Sequence, residues 1–160
     1  MLLIHPTIQQ YLQVKTWFND YQEIYTWGGP NMTYPMSDEN FLNQLQAPHI
    51  DSFSLINNDQ QLVAFGQYYM RLARHHLGRL VVSPLFRGQG LGKILITKLL
   101  QQAAKAQPNT DASLFVFKDN IVAYHCYQSL GFVETEYPEQ PFPGNMQNCV
   151  YMVLSASPQK

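Results

Sequence analysis

The spacing of hydrophobic residues changes several times along the chain, and each change marks an expected element. Residues 2–4 form a short apolar run stopped by His5-Pro6, which reads as a strand. From Thr7, which has the side chain of an N-cap, Ile8, Tyr11, Leu12 and Phe18 recur at helical spacing. Residues 18–35 set Tyr21, Tyr25, Trp27 and Tyr34 around Gly28-Gly29-Pro30, and these breakers predict a loop. Ser37 then caps a second helix over 38–47, with Asp38 and Glu39 in its first turn and Phe41, Leu42 and Leu45 to bury. Strands are expected at 52–57 and 61–71, joined by the polar turn Asn58-Asp59, and another at 77–82. A glycine-rich turn leads into a long amphipathic helix over 92–106, stopped by Pro108-Asn109. Ala112–Phe117 is the next apolar strand, and a short helix over 120–130 ends at Gly131 in the C′ position. Residues 132–137 and 148–154 make a final antiparallel pair. Strands first, then alternation, then a hairpin predicts an α/β chain whose mixed sheet carries helices on both faces. No repeat or linker divides it, so residues 1–160 are expected to be one domain.

Composition narrows the functions open to this chain. Ten Lys and Arg against eleven Asp and Glu leave a net charge of −1, with no basic run, which argues against a nucleic-acid partner. No apolar run approaches the roughly 18 residues of a membrane span, and the N-terminus lacks a leader pattern. A cytoplasmic protein with no membrane partner is therefore expected. Cys126 and Cys149 have no CxxC spacing, so neither a metal site nor a disulfide framework is expected.

The chemistry is concentrated at Ser83-Pro-Leu-Phe-Arg-Gly-Gln-Gly-Leu-Gly92. Gly88, Gly90 and Gly92 fall within five residues and run straight into a helix, so free backbone N–H groups and the positive end of the helix dipole face one spot. Such a turn suits a phosphate or pyrophosphate. It is not a Walker loop, because Gly92 is followed by Lys93-Ile94, and it lacks the GxGxxG of a dinucleotide site. A glycine turn with no ligand is the bland alternative. The pattern Val82-x-Pro84 followed by Arg87-x-x-Gly90-x-Gly92 resembles the coenzyme A pyrophosphate loop of the GNAT N-acetyltransferase superfamily. A second segment, Asn120-x-x-Ala123-x-x-x-Tyr127-x-x-x-Gly131-Phe132, completes that resemblance. Asn120 and Tyr127, seven apart, share one face of a helix, although an N-cap and a half-buried core aromatic would explain them as well.

The resemblance implies a GNAT fold, with a mixed sheet of about six to seven strands and about four helices, and acetyl-CoA as the acetyl donor without a metal. It implies that Leu80, Val81 and Val82 lend backbone groups to the coenzyme arm, with the Val82 N–H a candidate oxyanion donor. Arg87, Gly88, Gln89, Gly90, Leu91, Gly92 and Lys93 would hold the pyrophosphate, and Asn120 the pantetheine arm. Tyr127 would protonate the departing thiolate. The glutamates that some relatives use as a base are absent: Phe115 stands at one such position, and Gly78, Arg79 and Leu80 at the other. His75 and His76 precede the cradle strand, but no base is assigned to them.

The acceptor side is less determined. Tyr25, Trp27 and Tyr34, with Asp20, Glu23, Asp38 and Glu39 nearby, either hold a small cation by ring faces and carboxylates or plug the open end of the sheet. The 18–36 loop, the second helix and the 138–147 loop are expected to choose the acceptor. A small-molecule primary amine is the expected acceptor. A protein N-terminus or lysine is the alternative, and a non-catalytic acyl-CoA-binding module is a third. A homodimer stays open.

Overall fold

The computed structural model describes residues 1–139 and 148–156. Its centre is a seven-stranded mixed sheet made of β1 (Leu2–Ile4), β2 (Asp51–Ile56), β3 (Leu62–Arg71), β4 (Arg74–Val82), β5 (Ala112–Phe117), β6 (Val133–Thr135) and β7 (Cys149–Leu154). The order across the sheet is β1-β2-β3-β4-β5-β7-β6. Every neighbouring pair is antiparallel except β4 and β5, which are parallel and joined through a helical crossover.

Five α-helices cover the two faces: α1 (Ile8–Lys15), α2 (Tyr21–Gly28), α3 (Asp38–Leu45), α4 (Leu91–Ala106) and α5 (Ile121–Ser129). One core layer joins Leu91, Leu95, Leu99 and Ala103 of α4 to Leu77, Leu114 and Met152 of the sheet. The other packs Val14, Ile24, Phe41 and Leu45 of α1–α3 against Phe65. Thr7 caps α1 reciprocally with Gln10, and Ser37 caps α3, as the side chains at those positions predict.

The fifth helix is a correction to the sequence reading. Residues 18–35 are not one loop, because Gly28-Gly29-Pro30 closes a helix and does not interrupt one. Asp20 caps α2 by accepting from the Glu23 N–H at 2.8 Å, and the Glu23 carboxylate accepts from the Asn19 N–H at 2.8 Å. Gly29 ends the helix with φ of 94°, a conformation that costs glycine little. β4 also starts three residues earlier than expected, so His75 and His76 lie within the strand and not before it.

β4 is irregular in a way that shapes the molecule. Its register against β3 shifts between Phe65 and Gln67, and Arg79 sits opposite the shift with φ of 49°. That is a left-handed backbone at a non-glycine residue, the mark of a bulge. On its other side β4 pairs with β5 only at His75↔Ala112, His76↔Ser113 and Leu77↔Leu114. Past those three positions the two strands part, while β5 continues to pair with β7 as far as Phe117↔Cys149.

Candidate active site

The parting of β4 and β5 opens a fork, and the bulge decides which backbone groups face it. Before the bulge, the His75 N–H donates to Asp111 O at 2.9 Å, so odd-numbered amides of β4 turn toward β5. After it, Ser83 N–H donates to Val63 O at 2.8 Å, and Val81 is opposite Phe65. Alternation in an antiparallel ladder then commits Val81 to β3 and turns the Leu80 and Val82 amides toward the fork. The residue added by the bulge flips the parity of the strand. Of the three residues expected to lend backbone groups there, Leu80 and Val82 are free to do so. Val81 lines the cleft, but its own amide is turned away.

Below the fork, residues Pro84–Phe86 form a single 3₁₀ turn, and Arg87 folds back so that its Nε donates to Val82 O at 3.4 Å. Gly88 and Gly90 have φ of 79° and 75°, and a Cβ built on either would meet nothing within 4 Å. Gly90 is the N-cap of α4 and offers no side-chain acceptor, so the first amides of the 16-residue helix have no partner among the described residues. The arrangement is a ready anion site with an open mouth.

α5 supplies the opposite wall. Asn120 is its N-cap and accepts from the Ala123 N–H at 3.4 Å through Oδ1, while the residue also lines the cleft. Tyr127 lies two turns on, partly buried, with its ring edge-on to Phe132 at 6.3 Å. Its hydroxyl has no hydrogen-bond partner among the described residues. Asn120 is an N-cap that also faces the cleft, and Tyr127 is half core residue and half cleft wall.

The cleft has a volume of about 860 Å³ and runs from Arg87, Asn120 and Tyr127, past Leu80 and Val81, to a chamber under α2. The floor of that chamber is formed by Tyr69, Arg71, His76 and Phe115. Arg79 ties the chamber together, donating from Nε to Gly28 O at 3.3 Å and from Nη1 to Gln44 O at 2.9 Å and Gln67 Oε1 at 3.2 Å. The first two acceptors lie in the last turns of α2 and α3, where the helix dipoles are negative.

The description of the GNAT acetyltransferase family matches residues 13–132 of this sequence. The chain belongs to the GNAT family. It is an acyltransferase that moves an acetyl group to an amine. Among curated proteins it is similar to a ribosomal protein bS18-alanine N-acetyltransferase of Haemophilus ducreyi, at 28% identity over 123 residues, 75% of this chain and 83% of that one. Among solved structures it is similar to spermidine N-acetyltransferase from Vibrio cholerae in complex with CoA and spermine, with a TM-score of 0.74 at 18% identity, covering 97% of this chain and 95% of that one. The ribosomal-protein-S18-alanine N-acetyltransferase from Escherichia coli aligns with a TM-score of 0.68 at 21% identity, over 99% and 96%.

The two histidines of β4 are placed differently. His75, one of two histidines considered near the base position, is not part of the cleft. It is buried, with Nε2 2.9 Å from Gln107 O. His76 does line the chamber, with Nδ1 2.9 Å from Ser113 Oγ and its ring edge-on to Phe115 at 4.7 Å. Burial, and then the nearby Arg71 charge, push its pKa from 6.5 down to about 3. A histidine that weakly basic stays neutral at working pH and is a poor proton acceptor. It also makes stability depend on acid. Unfolded chains take up a proton near pH 6.5 that the folded protein refuses until about pH 3, so stability should be complete above pH 6.5 and fall as pH drops through that window. Urea unfolding at pH 7.5 and 5 is expected to show a steeper acid loss for the natural protein than for His76→Gln. Equal losses would remove this imidazole from the account.

The aromatic residues expected to choose the acceptor separate into three environments. Tyr25 lines the chamber and approaches Phe117 across it, ring to ring at 6.3 Å. Trp27 also reaches the cleft, but its ring lies 4.6 Å from Phe18, 6.0 Å from Phe41 and 6.3 Å from Phe65, inside the α1–α3 core. Tyr34 is exposed and forms no part of the cleft wall. Residues 140–147 of the expected acceptor loop lie outside the described residues. Sequence reasoning missed Arg71 and Tyr69, for which the signal was polar side chains at 67, 69 and 71, alternate positions of an otherwise apolar strand.

Proposed function

We propose that this chain transfers the acetyl group of acetyl-CoA to the primary amine of a small molecule. The observation that carries the reading is the continuity of one cleft from Arg87, the residue that precedes the glycine turn, through the β4–β5 fork, to the chamber roofed by α2. The residues present fit the coenzyme: uncapped α4 amides beside Arg87 suit a pyrophosphate, and the fork-facing Leu80 and Val82 amides suit an extended amide-bearing arm. Acetyl-CoA supplies the activated thioester carbonyl. The Val82 N–H is a donor for the oxyanion that develops on it, and Asn120 holds the arm against α5. Tyr127 gives its phenol proton to the leaving sulfur. Burial, first among the causes, holds that phenol above its ordinary pKa, so it keeps its proton until needed. No carboxylate is placed to act as base, and the proton of the amine leaves to water.

Tyr25 reaching across to Phe117 favours a small acceptor, since a polypeptide would need an open trough there. The curated relative acts on the alanine of a ribosomal protein, which keeps a protein N-terminus as the second reading. Release of free coenzyme thiol from acetyl-CoA, with a panel of small amines beside an alanine-initiated peptide, separates the two. Acetylation of the peptide alone would exchange their order, and calorimetry showing no acetyl-CoA binding would end both.

A further inference from the structure

Deepening that reading, we infer that the acceptor is an amino carboxylate, whose negative group pairs with Arg71 on the floor of the chamber. The side chain of Arg71 lines the cleft, and its Cζ stands 5.2 Å from the centre of the Phe115 ring and 5.8 Å from that of Tyr137. Phe115 is the first residue of β5 beyond the last pair with β4, so the guanidinium lies at the base of the fork, beside the place where acetyl transfer occurs.

Arg71 is charged and only partly satisfied. Its Nε donates to the Tyr137 hydroxyl at 3.1 Å and its Nη1 to the Tyr69 hydroxyl at 3.4 Å. Both partners are tyrosine hydroxyls, not carboxylates. Burial works against the charge, but the hydrogen bonds of Tyr137 and Tyr69 outweigh it and hold the group above its ordinary pKa. Two of the five N–H donors of an arginine are thus in use, and the other three have no partner among the described residues. All eleven Asp and Glu residues lie in the described part of the chain, yet the ion pairs found there are Lys15–Asp38 and Arg74–Asp111. Arg71 has no carboxylate of its own.

The chamber as a whole has the same bias. The acidic residues on the cleft wall, Asp20 and Glu23, are engaged in capping the N-terminus of α2. Arg79, a second cation on the cleft wall, gives three of its five N–H donors to neutral oxygens. A polycation would therefore meet a cationic floor, with the two carboxylates of the wall held at the far end by the backbone amides that they cap. A carboxylate would meet a planar fork of the matching shape, which binds it through two parallel charge-assisted hydrogen bonds. The same cation helps the reaction, since a positive group near the acceptor nitrogen disfavours its ammonium form and reduces the need for a base.

The test uses the whole chain with acetyl-CoA and five acceptors: glycine, leucine, phenylalanine, β-alanine and 4-aminobutyrate, each beside its carboxamide. Spermidine and an amidated alanine-initiated peptide are the contrasting arms. At least one free acid is expected to be acetylated with a kcat/KM about 10-fold or more above that of its carboxamide. Arg71→Met is expected to raise the KM of that acid about 10- to 30-fold, several times more than it raises that of the carboxamide, with the affinity for acetyl-CoA unchanged and Arg71→Lys in between. The comparison of acid with carboxamide in the natural protein stands even where an Arg71 variant fails to fold. Acetyl-CoA binding without acetylation of any acid, or a preference for carboxamide, spermidine or peptide, overturns the inference and leaves the donor assignment in place. Failure to bind acetyl-CoA ends the underlying reading as well.

Discussion

Tyr127→Phe is expected to lower kcat about 100-fold while acetyl-CoA affinity and the melting temperature stay near those of the natural protein. The substitution keeps the ring against Phe132 and removes only the hydroxyl, which has no hydrogen-bond partner among the described residues. Stability therefore has little to lose. General acid catalysis contributes about 10²–10⁴-fold, and two features place this case at the lower end. Burial raises the phenol pKa away from the roughly 8.5 of a thiol, making the proton transfer less favourable, and water can reach the open cleft to substitute. The sign of that shift gives a companion expectation. Because the phenol ionises above its ordinary value of 10.0, kcat of the natural protein should show no decline from Tyr127 as pH rises to 10. Steady-state kinetics of both proteins at saturating acetyl-CoA decide the matter. Unchanged kcat in the Phe variant would make Tyr127 a packing residue.

Gly90→Asp is expected to weaken acetyl-CoA binding about 100-fold in a protein that still folds. Gly90 has φ of 75° and ψ of 14°, in the left-handed region where Asp and Asn are the side chains best tolerated, and the space around its Cβ is empty. A carboxylate at this N-cap would take up the amides of the first turn and repel a pyrophosphate approaching the same spot. Gly90→Asn separates the two contributions, since it offers a similar side chain without the charge and should lose less affinity. Isothermal calorimetry beside melting curves is the measurement. An Asp variant with natural affinity would mean that the α4 N-terminus is not where the anion binds.

What could be read from the sequence was what depends on neighbours along the chain. The strand-to-helix turn at Gly88–Gly92 was legible because glycine spacing and helical periodicity are local, and so was the N-cap at Asn120. α2 was misread for a reason equally local: Gly28-Gly29-Pro30 reads alike whether it ends a helix or interrupts a loop, and the Asp20 cap that marks the helix start is seen only in the structure. The fork was not legible from the chain itself, because pairing that stops after Leu77↔Leu114 is a relation between segments 37 residues apart. The division among Leu80, Val81 and Val82 was hidden for the same reason. It follows from a parity change at Arg79, and nothing in an arginine announces a left-handed backbone. Trp27 shows the opposite limit, since an aromatic cluster near a predicted site looks the same whether its rings face a ligand or one another.

Arg79 makes the acceptor roof and the donor slot inseparable. Its kinked backbone sets which amides of β4 face the fork, while its side chain clasps the closing carbonyls of α2 and α3. Acceptor specificity therefore cannot be exchanged as a free-standing cassette. A chimera that imports residues 20–46 from another acetyltransferase must still present carbonyl oxygens at positions 28 and 44. If it does not, the buried guanidinium keeps only Gln67 Oε1 as acceptor, the bulge loses two of its ties, and the incoming segment impairs a coenzyme slot that it never touches. Divergence toward new amines would be channelled by this clasp into side chains such as those at 25 and 71, which line the chamber and make no hydrogen bond to Arg79.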